Sequence, residues 1–423
     1  MATSLTDSTL LRVGPRHGRP PLRLAQRFVA CDHAHMPRTR TLDRPRLPRH
    51  HALDTGMQPG HDVRMLSDAH QAWQALIADL DAAQHAISTE LYLLADDEVG
   101  QAFADALERA RRRGVVVRLV LDGLGSFSLS VAMLDRLRAA GVEVKVFAGL
   151  RPNQPWHHFV RRNHRKVFVI DDHIAHVGGR NVSVDYYALT PDGATWADLT
   201  VRVEGPLVAE ISRALRADWT QRRQRSTVLR SRLGRPISQG AVATAALNHG
   251  HIRGAEASRR YLQAVRAARQ SFLLAQSYFL PETAMRRAIR QAALRGVEVR
   301  VLVPDLSVMD VAIVSLASMH VLGRLLGSGV KVYLAQHRMM HAKFGVVDGL
   351  WWTAGSDNLD PISRQRNLEA NVVGLGAAQA QQLTDYFEFL CTDAVELTLA
   401  TWRNRPWWQK VVGAVAWAFR AFL

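Results

Sequence analysis

Arg295-Gly296-Val297-Glu298-Val299-Arg300-Val301-Leu302-Val303 repeats Arg113-Gly114-Val115-Val116-Val117-Arg118-Leu119-Val120-Leu121 almost position for position. In each copy a glycine able to close a helix precedes an aliphatic run suited to a buried strand. Gly329-Val330-Lys331-Val332 likewise echoes Gly141-Val142-Glu143-Val144. An offset of about 180 residues exceeds any solenoid period and marks the duplication of a whole domain.

Around these runs helices and strands alternate, the signature of a layered α/β architecture. In the first copy the pattern predicts a helix over Ala69 to Ala83, a strand over Ala86 to Leu93, and a helix over Val99 to Arg112 that stops at Gly114. A further helix over Val131 to Ala139 leads to a strand over Val142 to Phe147. In the second copy a helix over Ala257 to Arg269, a strand over Phe272 to Phe279 and a helix over Glu282 to Leu294 follow the same order. The reading gives four segments: a basic arm (1–55) expected to be disordered, two like domains (56–225 and 226–400) joined near Gln221 to Gly240, and a C-terminal segment (401–423).

The chain of 423 residues is 48% apolar and 22% charged, a composition that excludes overall disorder. Its two cysteines, Cys31 and Cys391, cannot build a disulfide framework and stand in no zinc-binding spacing, so no metal and no other cofactor are expected. The net charge of +16 points to anionic partners, nucleic acid or an anionic bilayer, without choosing between them. Only five of the 54 basic residues are lysines, which marks each lysine as a candidate for work arginine cannot do.

Two of those five fall in a constellation that both copies carry: His164-x-Lys166-x4-Asp171-x6-Gly178-Gly179-x-Asn181, and His341-x-Lys343-x4-Asp348-x6-Gly355-Ser356-x-Asn358. One copy reads as a strand end with a solvated lysine. Two copies in register with a duplication do not. The β-forming residues between Lys and Asp put each His and Lys, two apart, on one face, where a phosphate would meet an imidazole and an ammonium together. Glycine's tolerance of close approach and positive φ would let each asparagine return to that face. Asp171 and Asp348 close their strands at a turn, a place suited to bracing the local structure.

The double pattern resembles the phospholipase D superfamily, in which HxKxxxxD motifs from two like domains meet at one active site. Within it the chain is most similar to bacterial cardiolipin synthases of the B type. Asp96-Asp97-Glu98-Val99-Gly100, Leu121-Asp122-Gly123-Leu124-Gly125-Ser126, Gly355-Ser356-Asp357-Asn358-Leu359-Asp360-Pro361 and Asn367-Leu368-Glu369-Ala370-Asn371 carry that likeness, over residues 60 to 400. Gly179 departs from the superfamily pattern where the second copy has Ser356.

The resemblance implies two phospholipase D-like α/β/α sandwich domains packed as a pseudo-two-fold pair. It implies catalysis by His164, Lys166, Asp171, His341, Lys343 and Asp348, with His164 as nucleophile and His341 as acid, then base. Asn181, Asn358 and Ser356 would bind the phosphate. Asp198 and Glu369, which follow their motif histidines by 34 and 28 residues, would orient the histidines.

The implied reaction moves a phosphatidyl group from one phosphatidylglycerol to another, releasing glycerol through a phosphohistidine intermediate, with an anionic membrane surface as partner and no nucleic acid. Discharge of the same intermediate by water, as in a phosphodiesterase or nuclease, remains the alternative on motif residues alone. A non-catalytic anion-binding protein is the other, though it would not require paired histidines. The implied location is peripheral, on the cytoplasmic side of the bacterial inner membrane.

At the C-terminus Trp402, Trp407 and Trp408 stand among cations, followed by a largely apolar stretch from Val411 to Leu423. Too short to span a bilayer, it suits an amphipathic helix at the headgroup boundary, or else a terminal helix packed on the protein body. Arg161-Arg162, just before His164, are further phosphate-binding candidates. Trp351-Trp352 reads as core and rim of a strand.

Overall fold

The computed structural model describes residues 56–149, 161–220, 240–249 and 255–422. The expected basic arm (1–55) and nearly all of the expected join (221–239) lie outside the described residues. The first half contributes β1 (Gln58–Leu66), α1 (Ala69–Ala82), β2 (Ala86–Leu91), α2 (Glu98–Arg112), β3 (Val116–Asp122), α3 (Val131–Ala139), β4 (Glu143–Phe147), β5 (Lys166–Ile170), β6 (Ile174–Gly178), β7 (Thr200–Glu204) and α4 (Leu207–Trp219). The second contributes β8 (Ala241–His249), α5 (Glu256–Ala267), β9 (Ser271–Ala275), α6 (Thr283–Leu294), β10 (Glu298–Pro304), α7 (Ala312–Leu326), β11 (Lys331–Ala335), β12 (Phe344–Val347), β13 (Trp351–Gly355), α8 (Pro361–Gln365), β14 (Leu368–Leu375) and α9 (Ala377–Cys391). A short strand and two helices end the chain: β15 (Ala394–Glu396), α10 (Leu399–Arg403) and α11 (Trp407–Ala418).

The strands form one 15-stranded sheet in the order β15-β11-β10-β9-β12-β13-β14-β8-β1-β7-β6-β5-β2-β3-β4. Read outward from the centre, β1-β7-β6-β5-β2-β3-β4 has its counterpart, strand for strand, in β8-β14-β13-β12-β9-β10-β11. The duplication seen in sequence is therefore a duplication of topology. The halves join where β1 pairs antiparallel with β8, across a register irregularity between Gln58 and His61.

In each half three parallel strands carry helices between them, as βαβ connections require. Gly114, Gly141, Gly296 and Gly329 all lie at φ between 85° and 89°, the conformation that lets each helix turn directly into its strand. One face of the first half packs on α1 and α2, and one face of the second on α5, α6 and α7. The other faces meet α4 and α9 in a single shared core that includes Val169, Val201, Ile211, Leu215, Phe344 and Phe387. Two α/β/α units with a common interior result.

Strands β1 and β8 did not stand out in sequence. Gln58–Leu66 lacks clean alternation, and Ala241–His249 is rich in alanine, a weak strand former. Pairing at the seam makes them strands. Trp351 and Trp352 are both buried core.

The C-terminal segment folds as two helices lying on α7. Trp402 covers Gly323 and donates its indole N–H to the Met319 carbonyl at 2.6 Å. Gly413 lies so close to α7 that an added Cβ would come within 2.6 Å of the Leu316 carbonyl oxygen. The packed reading thus holds for one face, while Trp407, Val411, Val415 and Phe419 of the other stay exposed. Among the described residues no helix is long and apolar enough to cross a membrane.

Candidate active site

Both motifs begin where one half touches the other. Asn163 forms a parallel bridge with Leu368, and Ala197 forms one with Met340. The His164 amide donates to the Leu368 carbonyl at 3.0 Å, and the His341 amide to the Ala197 carbonyl at 2.7 Å. Each histidine is thereby set beside the carboxylate that follows in the opposite strand.

The pairing is crossed. His164 Nδ1 lies 3.0 Å from both carboxylate oxygens of Glu369, and His341 Nδ1 lies 2.7 Å from Asp198 Oδ2. Glu369 and Asp198 are fully buried, His341 nearly so, and the His164 side chain keeps 12% of its surface exposed. A carboxylate can only accept, so Nδ1 of each ring carries the proton and Nε2 keeps the lone pair.

Lys166 and Lys343 stand beside these rings. Lys166 Nζ donates to the His164 carbonyl at 2.8 Å and sits 5.0 Å from the centre of the Tyr92 ring. Lys343 Nζ lies 2.7 and 2.9 Å from the ring nitrogens of His341 and also donates to the His341 carbonyl. Burial lowers Lys166 well below the usual lysine range, and lowers Lys343 to about 8 despite the Asp198 and Glu369 carboxylates.

Burial, and then the adjacent Lys343 ammonium, hold His341 down to about 3; burial also lowers His164. Burial pushes the Asp198 carboxyl up, but its contacts with His341, Lys343 and Arg180 outweigh that and bring it to about 2. The charge of Lys343 is felt at His164, and that of Lys166 at His341. The four groups therefore share one electrostatic site.

Asn181 and Asn358 complete it from the turns after β6 and β13. The Asn181 amide oxygen accepts from the Leu93 N–H at 3.3 Å, and that of Asn358 from the Ser277 hydroxyl at 3.0 Å. With each oxygen engaged, the amide nitrogen is the group able to donate to a phosphoryl oxygen.

The glycines of the motif serve by closeness rather than by φ. A Cβ on Gly179 would overlap Asp198 Oδ1, so the side chain Gly179 lacks is the space its carboxylate occupies. Ser356, at the equivalent position and expected at the phosphate, turns its hydroxyl to Glu369 in this structure. Its buried hydroxyl donates to Glu369 Oε2 at 2.6 Å and accepts from the Ala370 N–H at 3.0 Å, so it fixes the carboxylate that holds His164.

Asp171 and Asp348 stand apart from the other motif residues. Each lies at the far end of its strand, about 16 Å from the lysine at five strand steps. Asp171 has φ 51° and accepts the backbone N–H groups of Gln84, His85 and Ala86. Asp348, φ 52°, does the same for Arg269, Gln270 and Ser271. They tie β5 and β12 to the loops entering β2 and β9.

Arg162 is buried and bonded to Asp122 at 3.3 Å, while exposed Arg161 donates to the His249 carbonyl at 3.2 Å.

Several site residues carried no signal in sequence. The rings of Tyr186, Trp196 and Tyr278 lie 5.1, 5.7 and 6.4 Å from that of His341, and Tyr92 lies 4.9 Å from His164. Arg165, between the motif His and Lys, is fully buried and crosses the seam to the carbonyls of Glu369 and Asn248 at 3.3 and 3.1 Å, with Glu90 and Asp218 as its ion-pair partners. Isolated aromatics and a motif spacer residue form no pattern along the chain.

A family model described as cardiolipin synthase, phospholipase D-like domain, matches residues 76–219 and 261–391, one copy in each half. The chain belongs to this family. Its enzymes are phosphatidyltransferases of the phospholipase D superfamily. Cardiolipin synthase B of Salmonella typhimurium is 32% identical over 383 residues, covering 87% of this chain and 89% of that protein. Cardiolipin synthase B of Escherichia coli K12 is 30% identical over 85% of this chain and 88% of its own length. The major cardiolipin synthase of Bacillus subtilis is 30% identical over 84% and 74%.

Among solved structures, phosphatidylserine synthase of Haemophilus influenzae superposes with a TM-score of 0.68 at 15% identity, covering 85% of this chain and 95% of that one. That likeness establishes the fold. Among the described residues of this cardiolipin synthase family member, no group of three or more His, Cys, Asp or Glu side chains is placed to hold a metal ion.

Proposed function

We propose that the chain transfers a phosphatidyl group from one phosphatidylglycerol to another, forming cardiolipin and releasing glycerol. The observation that carries this reading is the crossed pair of His–carboxylate contacts, His164 with Glu369 and His341 with Asp198. Two imidazoles held in the same tautomer beside two ammonium groups suit attack on, and departure from, one phosphorus atom.

In the first step the Nε2 lone pair of His164 forms a bond to phosphorus. The bond from phosphorus to the glycerol oxygen breaks, and His341 gives that oxygen a proton. In the second step a hydroxyl of the incoming phosphatidylglycerol gives its proton to His341, and its oxygen displaces His164 from phosphorus. Lys166, Lys343, Asn181 and Asn358 would hold the phosphoryl oxygens while charge builds on them.

Burial lowers both imidazoles. His341 therefore acts as an acid only once the phosphodiester anion has arrived to favour its charged form. This ties proton delivery to substrate binding. The aromatic enclosure of His341 by Tyr186, Trp196 and Tyr278 favours discharge by an alcohol over discharge by water, because it limits the water beside the second proton carrier.

We place this chemistry at the membrane surface, with the enzyme peripheral on the cytoplasmic side of the inner membrane, a reading that rests on family resemblance. Lipid product analysis with purified protein, phosphatidylglycerol as the sole lipid and excess chelator tests the whole. Cardiolipin and glycerol in equal amounts are the expected products. Phosphatidic acid alone would replace this reading with the phosphodiesterase one.

A further inference from the structure

Two exposed apolar pads flank the site, one from each half. In the first half the turn after β3, continuing into α3, exposes Leu124, Phe127 and Val131, with Phe127 74% and Val131 71% accessible. This turn is built directly on a wall of the site. The Ser126 hydroxyl donates to the Tyr92 carbonyl at 3.1 Å and accepts from the Leu94 N–H at 3.1 Å, and the Tyr92 ring meets His164 edge-on.

In the second half the corresponding support is Tyr278, whose ring faces His341 and whose hydroxyl donates to Asp310 at 2.6 Å. Tyr278 and Leu280 pack with Val314 and Ala317 of α7 and with Ala416 and Trp417 of the C-terminal segment. On the outer side of that layer, α11 exposes Trp407, Trp408, Val411, Val415 and Phe419. Each pad is thus one packing layer from a histidine.

Charge bears on what the C-terminal pad meets: residues 399–423 contain four cations, Arg403, Arg405, Lys410 and Arg420, and no acid, while residues 123–134, between Asp122 and Asp135, carry no charge of either sign. Exposed tryptophan and phenylalanine beside cations fit the headgroup boundary of an anionic bilayer. Contiguous exposed apolar side chains mark interaction sites, membrane contacts among them.

We propose that the turn bearing Leu124, Phe127 and Val131 is a second membrane-docking pad, which acts with α11 to seat the mouth of the active site on an anionic lipid bilayer. The inference rests on the phosphatidyl-transfer reading above. Docking at two points, one on each side of the two histidines, turns the site toward the surface from which both lipids must come. Docking through α11 alone would leave that orientation free.

The test compares the full chain with its Leu124→Ser/Phe127→Ser/Val131→Ser variant. Sedimentation uses vesicles of phosphatidylcholine and phosphatidylglycerol, and turnover is followed on those vesicles and on phosphatidylglycerol in detergent micelles. Loss of three buried apolar side chains from a bilayer contact should weaken vesicle binding roughly tenfold or more. Vesicle turnover should fall in parallel, while micellar turnover stays within about twofold of wild type. Vesicle binding within about twofold of wild type would overturn the proposal.

A second measurement is independent of how the triple variant folds. An environment-sensitive dye on Phe127→Cys, with Cys31 and Cys391 replaced by serine, should shift to the blue when anionic vesicles are added. No shift would also overturn the proposal. Should the wild-type chain make no cardiolipin in either vesicles or micelles, the transfer reading fails instead, and the dye result still decides the docking.

Discussion

Asp198 Oδ2 lies 2.7 Å from His341 Nδ1, and the two side chains come from opposite halves of the duplicated chain. Glu369 and His164 repeat the arrangement in the reverse sense at 3.0 Å. Neither half holds its own histidine. An isolated half would present an imidazole without the carboxylate that fixes its tautomer.

Asp198→Asn tests what that carboxylate does. An amide of the same shape can donate to Nδ1 and so reverse the tautomer, and in Ser-His-Asp enzymes such a change costs about 10⁴ in kcat. A fall in turnover of about 10² to 10⁴ is expected for Asp198→Asn and for Glu369→Gln, with an unchanged circular dichroism spectrum. Turnover within threefold of wild type, roughly 0.7 kcal/mol, would remove the carboxylates from the mechanism.

Gly179 and Ser356 occupy equivalent positions but should respond differently. Gly179→Ala would drive a methyl group into the space of the Asp198 carboxylate, and so displace the partner of His341. Ser356→Ala removes one donor from Glu369 and the acceptor of the Ala370 N–H, at a cost of about 1–3 kcal/mol, but leaves the carboxylate in place because His164 still holds it. Gly179→Ala should therefore be the more damaging of the two in kcat. The reverse order would contradict the packing described for Asp198.

Asp171 and Asp348 give a test that separates bracing from chemistry. Replacing Asp171 by Ala strands three backbone N–H groups and should destabilise the fold by about 2–4 kcal/mol, seen as a lower Tm. Turnover measured well below that Tm should remain within a few-fold of wild type. A hundredfold loss of turnover at unchanged Tm would place Asp171 in the catalytic set.

Much of this was legible along the chain because duplication repeats its signals. The two Arg-Gly-aliphatic runs became β3 and β10, and the two His-x-Lys pairs came together. Asp198 and Glu369 were legible as spacings, but not which histidine each would hold. That choice is made at the seam, by the bridges of Asn163 with Leu368 and Ala197 with Met340, and no local pattern encodes it. The Ser356 contact was not legible for a related reason: its hydroxyl finds Glu369 only after β13 and β14 pair.

The pH dependence of kcat/KM follows from groups whose protonation is displaced in the free enzyme. The nucleophile must be neutral, and burial lowers the His164 imidazole, so it stays competent below the ordinary histidine value of 6.5 and activity is lost only at lower pH. Lys343 must be charged to hold the phosphoryl oxygens; burial has brought it to about 8, so activity should fall as pH rises through that value. Loss of the Lys343 charge therefore adds a steeper alkaline limb near pH 8, well below the usual lysine range, to the steady fall with pH that an acid held near 3, His341, imposes on kcat/KM. Profiles measured from pH 5 to 9 on micellar phosphatidylglycerol should show that limb in kcat/KM. A profile that gains no steeper limb up to pH 9 would mean that the Lys343 charge is not needed at the phosphorus.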